Sequence, residues 1–192
     1  MSIDNESEIR VWSIYFLTIF LSIYIHEIGH CIPAWISGIK AIPTPAKEYI
    51  MGQIPIDLRL YISLGGIVGT ILFTIIVFAF YLKNSIKNSE AILAAAIAVP
   101  AIYTLRFFIE GRGHDATEFQ EAQSALGLNY SGHFLDWIFL TLVLIGIAIW
   151  IVKSKPSYKI LGRLLIGSIV TVIFIVGLQS INNAIFDPIF QS

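Results

Sequence analysis

The chain has 192 residues, of which 56% are hydrophobic and only 13% are charged, whereas about a quarter of the residues in a soluble domain are charged. The mean hydropathy of +0.79 and the formal net charge of -1 exclude a soluble globular domain, a disordered chain and a basic protein that binds nucleic acid. Because a membrane-spanning helix needs about 20 apolar residues, the chain has room for about five such helices. Its single cysteine excludes an internal disulfide bond.

Long apolar runs predict an all-α, multi-pass integral membrane protein that forms one membrane domain over residues 1–192. The first run is interpreted as a retained helix, because its flank is acidic and no small-residue cleavage site follows it. The predicted spans cover about 11–38, 60–82, 91–108, 134–152 and 160–179.

Two of the connections between these spans carry predicted structure of their own. Three prolines forbid a continuous helix over residues 39–57, and the mixed apolar and polar pattern there predicts a short extended hairpin at the membrane surface. The segment DATEFQEAQSAL, residues 115–126, predicts a short amphipathic helix. Asp115 and Glu118 fit the D-x-x-E capping box that begins such a helix.

The second predicted span contains a cluster of small residues, SLGGIVGT at 63–70. Gly65, Gly66 and Gly69 remove side chains from one region of the helix, and this permits the close approach of another helix. The cluster therefore predicts a tight helix–helix contact.

The first apolar run contains His26-Glu27-Ile28-Gly29-His30, an H-E-x-x-H motif. Residues four apart lie on one face of a helix, so the two imidazoles can bind one zinc ion while Glu27 reaches a water on that ion. Zinc lowers the pKa of this water, and Glu27 can accept its proton and pass it to a leaving amine. Such side chains are costly inside a spanning helix, which favours a functional site.

A hydrolytic zinc site usually has three protein ligands and one water, so a third ligand must come from elsewhere in the chain. Asp115 is the predicted third ligand and His114 is its close rival, because both lie in a glycine-flanked segment just after the third span. Irregular backbone at membrane depth is tolerated where it lines a cavity. Cys31 is interpreted as a small apolar filler, and His133 as a marker of the membrane interface.

These residues resemble the site-2 protease family of intramembrane zinc metalloproteases, the M50 peptidases. HEIGH matches the family's first motif, and LGGIVGT is similar to its small-residue segment in the next span. Asp115 in GRGHDATEF stands where the family has an Asp in an L-D-G setting, although the tripeptide itself is absent. The resemblance covers residues 11–120, which would form a three-helix catalytic core, with additional helices over about 133–180.

The resemblance implies a zinc metalloendopeptidase that cleaves a membrane protein or peptide within or near the bilayer. His26, His30 and Asp115 would hold Zn²⁺, and Glu27 would act first as a general base and then as a general acid. The segment 39–57 is a candidate surface for holding an extended substrate strand by edge pairing.

Two other functions stay open at this point. A gluzincin-like membrane protease would use Glu118 in TEFQEA as its third ligand, although Ala122 stands where such a motif has an Asp. Alternatively, the chain is a non-catalytic membrane protein that binds a metal or regulates a partner on a protease scaffold. Membrane orientation also stays open, since the Lys and Arg distribution favours a cytoplasmic N-terminus and the family resemblance implies the opposite.

Overall fold

A computed structural model describes residues 3–83, 89–110, 114–128, 133–153 and 158–190 of the chain. This part of the chain is mostly helical and contains one small antiparallel sheet. Its elements in chain order are α1 (Ile3–Ile36), β1 (Lys40–Pro43), β2 (Glu48–Met51), α2 (Ile56–Lys83), α3 (Ser89–Glu110), α4 (His114–Ala125), α5 (His133–Lys153), α6 (Tyr158–Ile185) and α7 (Asp187–Phe190).

Four helices of the described part are long and apolar enough to cross a membrane. They correspond to the predicted first, second, fourth and fifth spans. The predicted third span lies in α3, a 22-residue helix with Pro100 inside it. This helix is not among the four, and the side chain of its Phe107 is outside the described residues. A count of five spans therefore stays a prediction. The four segments are Glu8–Ile36, Ile56–Lys83, His133–Lys153 and Ile166–Ile185.

Helices α1 and α2 run antiparallel and touch through their backbones. A Cβ atom added at Gly29 would overlap the carbonyl oxygen of Gly65, and one added at Gly65 would overlap the carbonyl oxygen of Gly29. One turn away, a Cβ atom at Gly69 would lie 2.9 Å from the carbonyl oxygen of Ile25. The glycine cluster therefore packs two helices together, and this prediction is confirmed.

The H-E-x-x-H helix ends at a glycine and leads directly into the hairpin. Gly38 has a φ of 75°, its N–H donates to Trp35, and the N–H of Ile39 donates to Ala34, which is the Schellman arrangement of a helix C-terminus. β1 and β2 then pair antiparallel, from Lys40 opposite Met51 to Pro43 opposite Glu48. The predicted hairpin within residues 39–57 is confirmed.

Helix α3 lies among α1, α2, α5 and α6. One face of α3 carries small alanine side chains, and this face packs closely against Tyr15 and Ile19 of α1. The predicted amphipathic helix is α4, whose Phe119 is buried in an apolar cluster with Ile67 of α2 and Phe139 of α5. This prediction is confirmed as well.

Helix α6 packs against the rest of the molecule with few of its described side chains, those of residues 166–185, buried. Near its middle, the hydroxyls of Tyr15 and Thr171 lie 2.8 Å apart, and the Phe174 ring packs 5.3 Å from that of Phe16. At its C-terminal end the short helix α7 turns back toward the hairpin, where the Phe190 ring packs at a tilt against that of Tyr49, with centroids 4.9 Å apart.

Candidate metal centre

The two histidines of the motif face each other on α1. They are one helical turn apart, and their rings are nearly perpendicular, with centroids separated by 4.6 Å and the two Nε2 atoms 3.0 Å apart. Both side chains are buried, with 6% of His26 and 3% of His30 exposed. Two imidazole nitrogens therefore converge on one buried point.

Helix α2 orients both rings through their other nitrogen atoms. His30 Nδ1 lies 2.7 Å from the carbonyl oxygen of Ile62; since a carbonyl can only accept, Nδ1 carries the hydrogen and Nε2 of the neutral ring keeps its lone pair. His26 Nδ1 lies 2.9 Å from the hydroxyl of Thr70, which can accept a hydrogen bond in the same way. A partner on Nδ1 that fixes the ring and its tautomer is the usual arrangement for a metal-binding histidine.

This arrangement fits a zinc ion by distance and by ligand chemistry. Zinc–nitrogen bonds of about 2.0–2.1 Å in a tetrahedral site separate two ligating nitrogens by about 3.3 Å. The observed separation of the two Nε2 atoms is 3.0 Å. His26 and His30 can therefore share one zinc ion after a small adjustment of their rings.

Gly66 lies directly beside the Nε2 edge of the His30 ring. A Cβ atom at this position would overlap Nε2 of the His30 ring. Sequence reasoning assigned the glycines of α2 to helix packing alone, because the partner of each glycine depends on the register between two helices. Gly66 has the additional role of leaving room for the Nε2 edge of the His30 ring.

The two histidines and Glu27 line a cavity of about 520 Å³ between α1, the hairpin, α3 and α6. Glu27 is only 7% exposed to solvent, and its carboxylate lies within 4.8 Å of a ring nitrogen of His30. The wall of the cavity combines apolar side chains with ionisable and amide groups, and its other lining residues are Ile23, Ala46, Lys47, Glu48, Val99, Ile102, Tyr103, Arg106, Ile175, Leu178, Gln179, Asn182 and Asn183.

Glu48 of β2 is a site residue that sequence reasoning missed. One ligand atom from each of Glu27, His30 and Glu48 lies within 4.8 Å of the other two, and this is the one such group of three found among the described residues. Glu48 is 21 positions from Glu27 along the chain, so only the fold brings the two carboxylates together. A signal was available, because the segment 39–57, which directly follows the motif helix, contains only two carboxylates, Glu48 and Asp57.

The other residues considered as ligands are only partly described. The side chains of Asp115, His114 and Glu118 lie outside the described residues, and their ligation stays a prediction. Cys31 is fully buried in an apolar cluster, as expected of a small filler. His133 Nδ1 lies 3.6 Å from Asp136 Oδ2 in the first turn of α5, and neither residue lines the cavity.

Polar side chains of the hairpin form hydrogen bonds with Asn182 of α6 and Asp187 of α7, and this set of contacts is called the latch. Tyr49 donates to Asp187 at 2.6 Å and accepts from the amide of Asn182 at 2.8 Å, while Thr44 donates to the amide oxygen of Asn182. Burial, and then the hydrogen bond and charge of Asp187, raise the pKa of Tyr49 to about 12. The phenol is therefore a hydrogen-bond donor at neutral pH, and Lys47 Nζ, 3.4 Å from the same carboxylate, completes the latch.

Comparisons of the chain with family models, with curated proteins and with solved structures find no match. Function is therefore inferred from the residues of this site.

Proposed function

We propose that the chain is an intramembrane zinc metalloprotease of the site-2 protease type, an integral membrane protein with five transmembrane helices whose three-helix catalytic core lies within about residues 11–120. The observation that carries this proposal is the pair of Nε2 atoms 3.0 Å apart, on a helix apolar enough to cross a membrane. The Nδ1 atoms of both rings are occupied by groups of α2. Glu27 lines the same cavity.

The proposed chemistry assigns one task to each residue of the motif. His26 and His30 hold the metal, with Asp115 as the third ligand that the family resemblance implies. Bound zinc supplies Lewis acidity, which acidifies the attacking water and polarises the scissile carbonyl. Glu27 accepts a proton from that water as a carbon–oxygen bond forms, and it delivers the proton to the nitrogen of the leaving amine as the peptide bond breaks.

The hairpin and the cavity support a peptide as the substrate of this site. A helical peptide shields its carbonyls with internal hydrogen bonds, so a transmembrane substrate has to unwind before cleavage. An unwound segment can add a strand at an exposed sheet edge, and the two-stranded sheet beside the cavity offers such an edge. We therefore propose that the partners of the protein are the bilayer and a membrane protein or peptide that enters the cavity in extended form.

A single comparison of variants tests the proposal. Purified full-length protein is analysed for zinc per chain, and the same samples are incubated with a panel of single-span peptides whose fragments are identified by mass spectrometry. The wild type should bind one zinc and cleave at least one peptide, Glu27→Gln should bind zinc without cleaving, and His30→Ala should lose both. Cleavage by Glu27→Gln at the wild-type rate, or a wild type without zinc, would contradict the proposal.

The same experiment separates the proposal from a non-catalytic metal-binding protein. A wild type that binds one zinc but cleaves no peptide of the panel, with Glu27→Gln indistinguishable from it in every readout, would overturn the protease assignment. It would favour the metal-binding alternative.

A further inference from the structure

We propose that Glu48 of the hairpin is a protein ligand of the metal held by His26 and His30. This inference rests on the proposed zinc site, but it assigns the third ligand to a different element from the one that the family resemblance implies. Two histidines and one glutamate form a ligand set that catalytic zinc sites use.

The first argument is the chemistry of the groups that converge on Glu48. Its carboxylate lies within 4.8 Å of ligand atoms of Glu27 and His30, and the hydrogen on the His30 ring is already directed to Ile62. All three groups therefore offer electron pairs to one another. A cation is the kind of ligand that such a set of groups attracts.

The second argument is electrostatic. Two carboxylates this close repel each other, and the repulsion is stronger in a partly buried site than in water. Within the described part of the chain, the Glu48 side chain forms no hydrogen bond or ion pair that would neutralise its charge. A divalent cation between Glu48 and His30 removes this repulsion.

The third argument is the position of Glu48 in the strand. Side chains alternate between the two faces of a strand, so Glu48 and Ile50 share a face while Tyr49 is on the opposite one. Ile50 packs into the apolar cluster formed by α1 and α2, and Tyr49 is hydrogen-bonded to Asp187 and Asn182 on the other side. The hairpin is therefore held from both faces, and the Glu48 carboxylate lies within 4.8 Å of a ligand atom of His30.

Metal binding by purified full-length protein tests this assignment without a substrate. Zinc affinity is measured by competition with a chelator, and the visible spectrum of the cobalt-loaded protein reports on the ligand set. Glu48→Gln should bind zinc at least about tenfold more weakly than wild type, because even residues that only support a ligand contribute about that much, and its cobalt spectrum should change. Asp57→Asn, which removes an exposed carboxylate in the first turn of α2, should match the wild type in both.

Glu48→His keeps the assignment falsifiable if the amide variant folds poorly, since histidine can also bind zinc. It should restore zinc affinity to within about tenfold of the wild type. If Glu48→Gln is folded without metal and keeps wild-type zinc affinity and spectrum, Glu48 is not a ligand. Loss of zinc by Asp115→Ala alone would then point to α4, and the proposed function would stand. A wild type that binds no zinc would overturn the proposed function itself.

Discussion

The cavity has two opposite walls that are built in different ways. On one side lies α1, which meets α2 backbone to backbone at Gly29 and Gly65, and 33% of the residues in the apolar window of α1 are buried. On the other side, only 11% of the corresponding window of α6 is buried. The α6 wall is held by contacts of single side chains, such as the hydrogen bonds of Tyr15 and Asn182 and the packing of Phe174 on Phe16.

The difference shows which part of the site has to be rigid. His26 and His30 lie on the tightly packed side, where a shift of either helix would produce an overlap of backbone atoms. The hairpin and α6 meet through a few hydrogen bonds, each worth about 0.5–1.5 kcal/mol, so that this wall can be displaced at much lower cost. We expect substitutions at the two walls to have effects of different kinds as well as of different sizes.

The largest effect on stability is expected at the contact of α1 with α2. Gly29→Ala should lower the free energy of unfolding by about 1–3 kcal/mol, as overpacking typically does, because the new Cβ overlaps the carbonyl of Gly65. Gly177→Ala in α6 is the matched control: nothing lies within 4 Å of its added Cβ, and the better helix propensity should stabilise it by up to about 1 kcal/mol. The free energies of unfolding of both variants are measured by denaturant titration in detergent. Equal destabilisation of the two variants would contradict the predicted difference.

A more local effect is expected at Gly66. The Cβ of Gly66→Ala would overlap Nε2 of His30, so the ring has to turn and the two histidine nitrogens no longer converge. Zinc content should fall well below that of the wild type, while the helical circular dichroism spectrum is retained. A Gly66→Ala protein that carries a full zinc ion would show that His30 binds no metal through this nitrogen.

A smaller effect is expected where α2 orients His26. Thr70→Val removes the hydroxyl that lies 2.9 Å from Nδ1, and such supporting groups change metal affinity by about 10–100-fold. Thr74→Val, one turn further along α2, is the control, because the buried Thr74 hydroxyl has no hydrogen-bond partner in the described part of the chain. Zinc competition should separate the two variants, and equal affinities would remove Thr70 from the site.

The smallest effect is expected at the latch. Tyr49→Phe deletes the hydrogen bond to Asp187 and should lower the free energy of unfolding at neutral pH by about 0.5–1.5 kcal/mol. Because the pKa of Tyr49 is raised from 10.0 to about 12, this contribution is fully present below pH 10 and is lost as the pH rises toward about 12. The difference between wild type and variant should therefore disappear at high pH, and a constant difference would contradict the role of the phenol.

The features that could be predicted are those set by the spacing of residues that are close together in the chain. The two histidines share a helix face because they are four residues apart, and the prolines around residues 39–57 permit a hairpin but no helix. The close contact of two helices at Gly65 followed from the small residues alone. Each of these features is encoded within a few consecutive positions.

The missed features depend on which elements meet in space. Glu48 lies near His30 only because the hairpin packs against α1 and α2. The group that holds His30 is the backbone carbonyl of Ile62, which no side-chain pattern reveals. The weak burial of α6 is also hidden from the sequence, because the helix is as apolar as a packed one would be. The way in which the helices and the hairpin pack against one another determines all three features.

The central claim is that His26 and His30 bind one zinc ion through facing nitrogens. Zinc X-ray absorption on the purified full-length protein tests it most directly, because the spectrum reports both the presence of the metal and the kind of atoms around it. One zinc per chain with two imidazole ligands is the predicted result. A protein free of zinc after reconstitution, or zinc surrounded by oxygen ligands without imidazole, would contradict it.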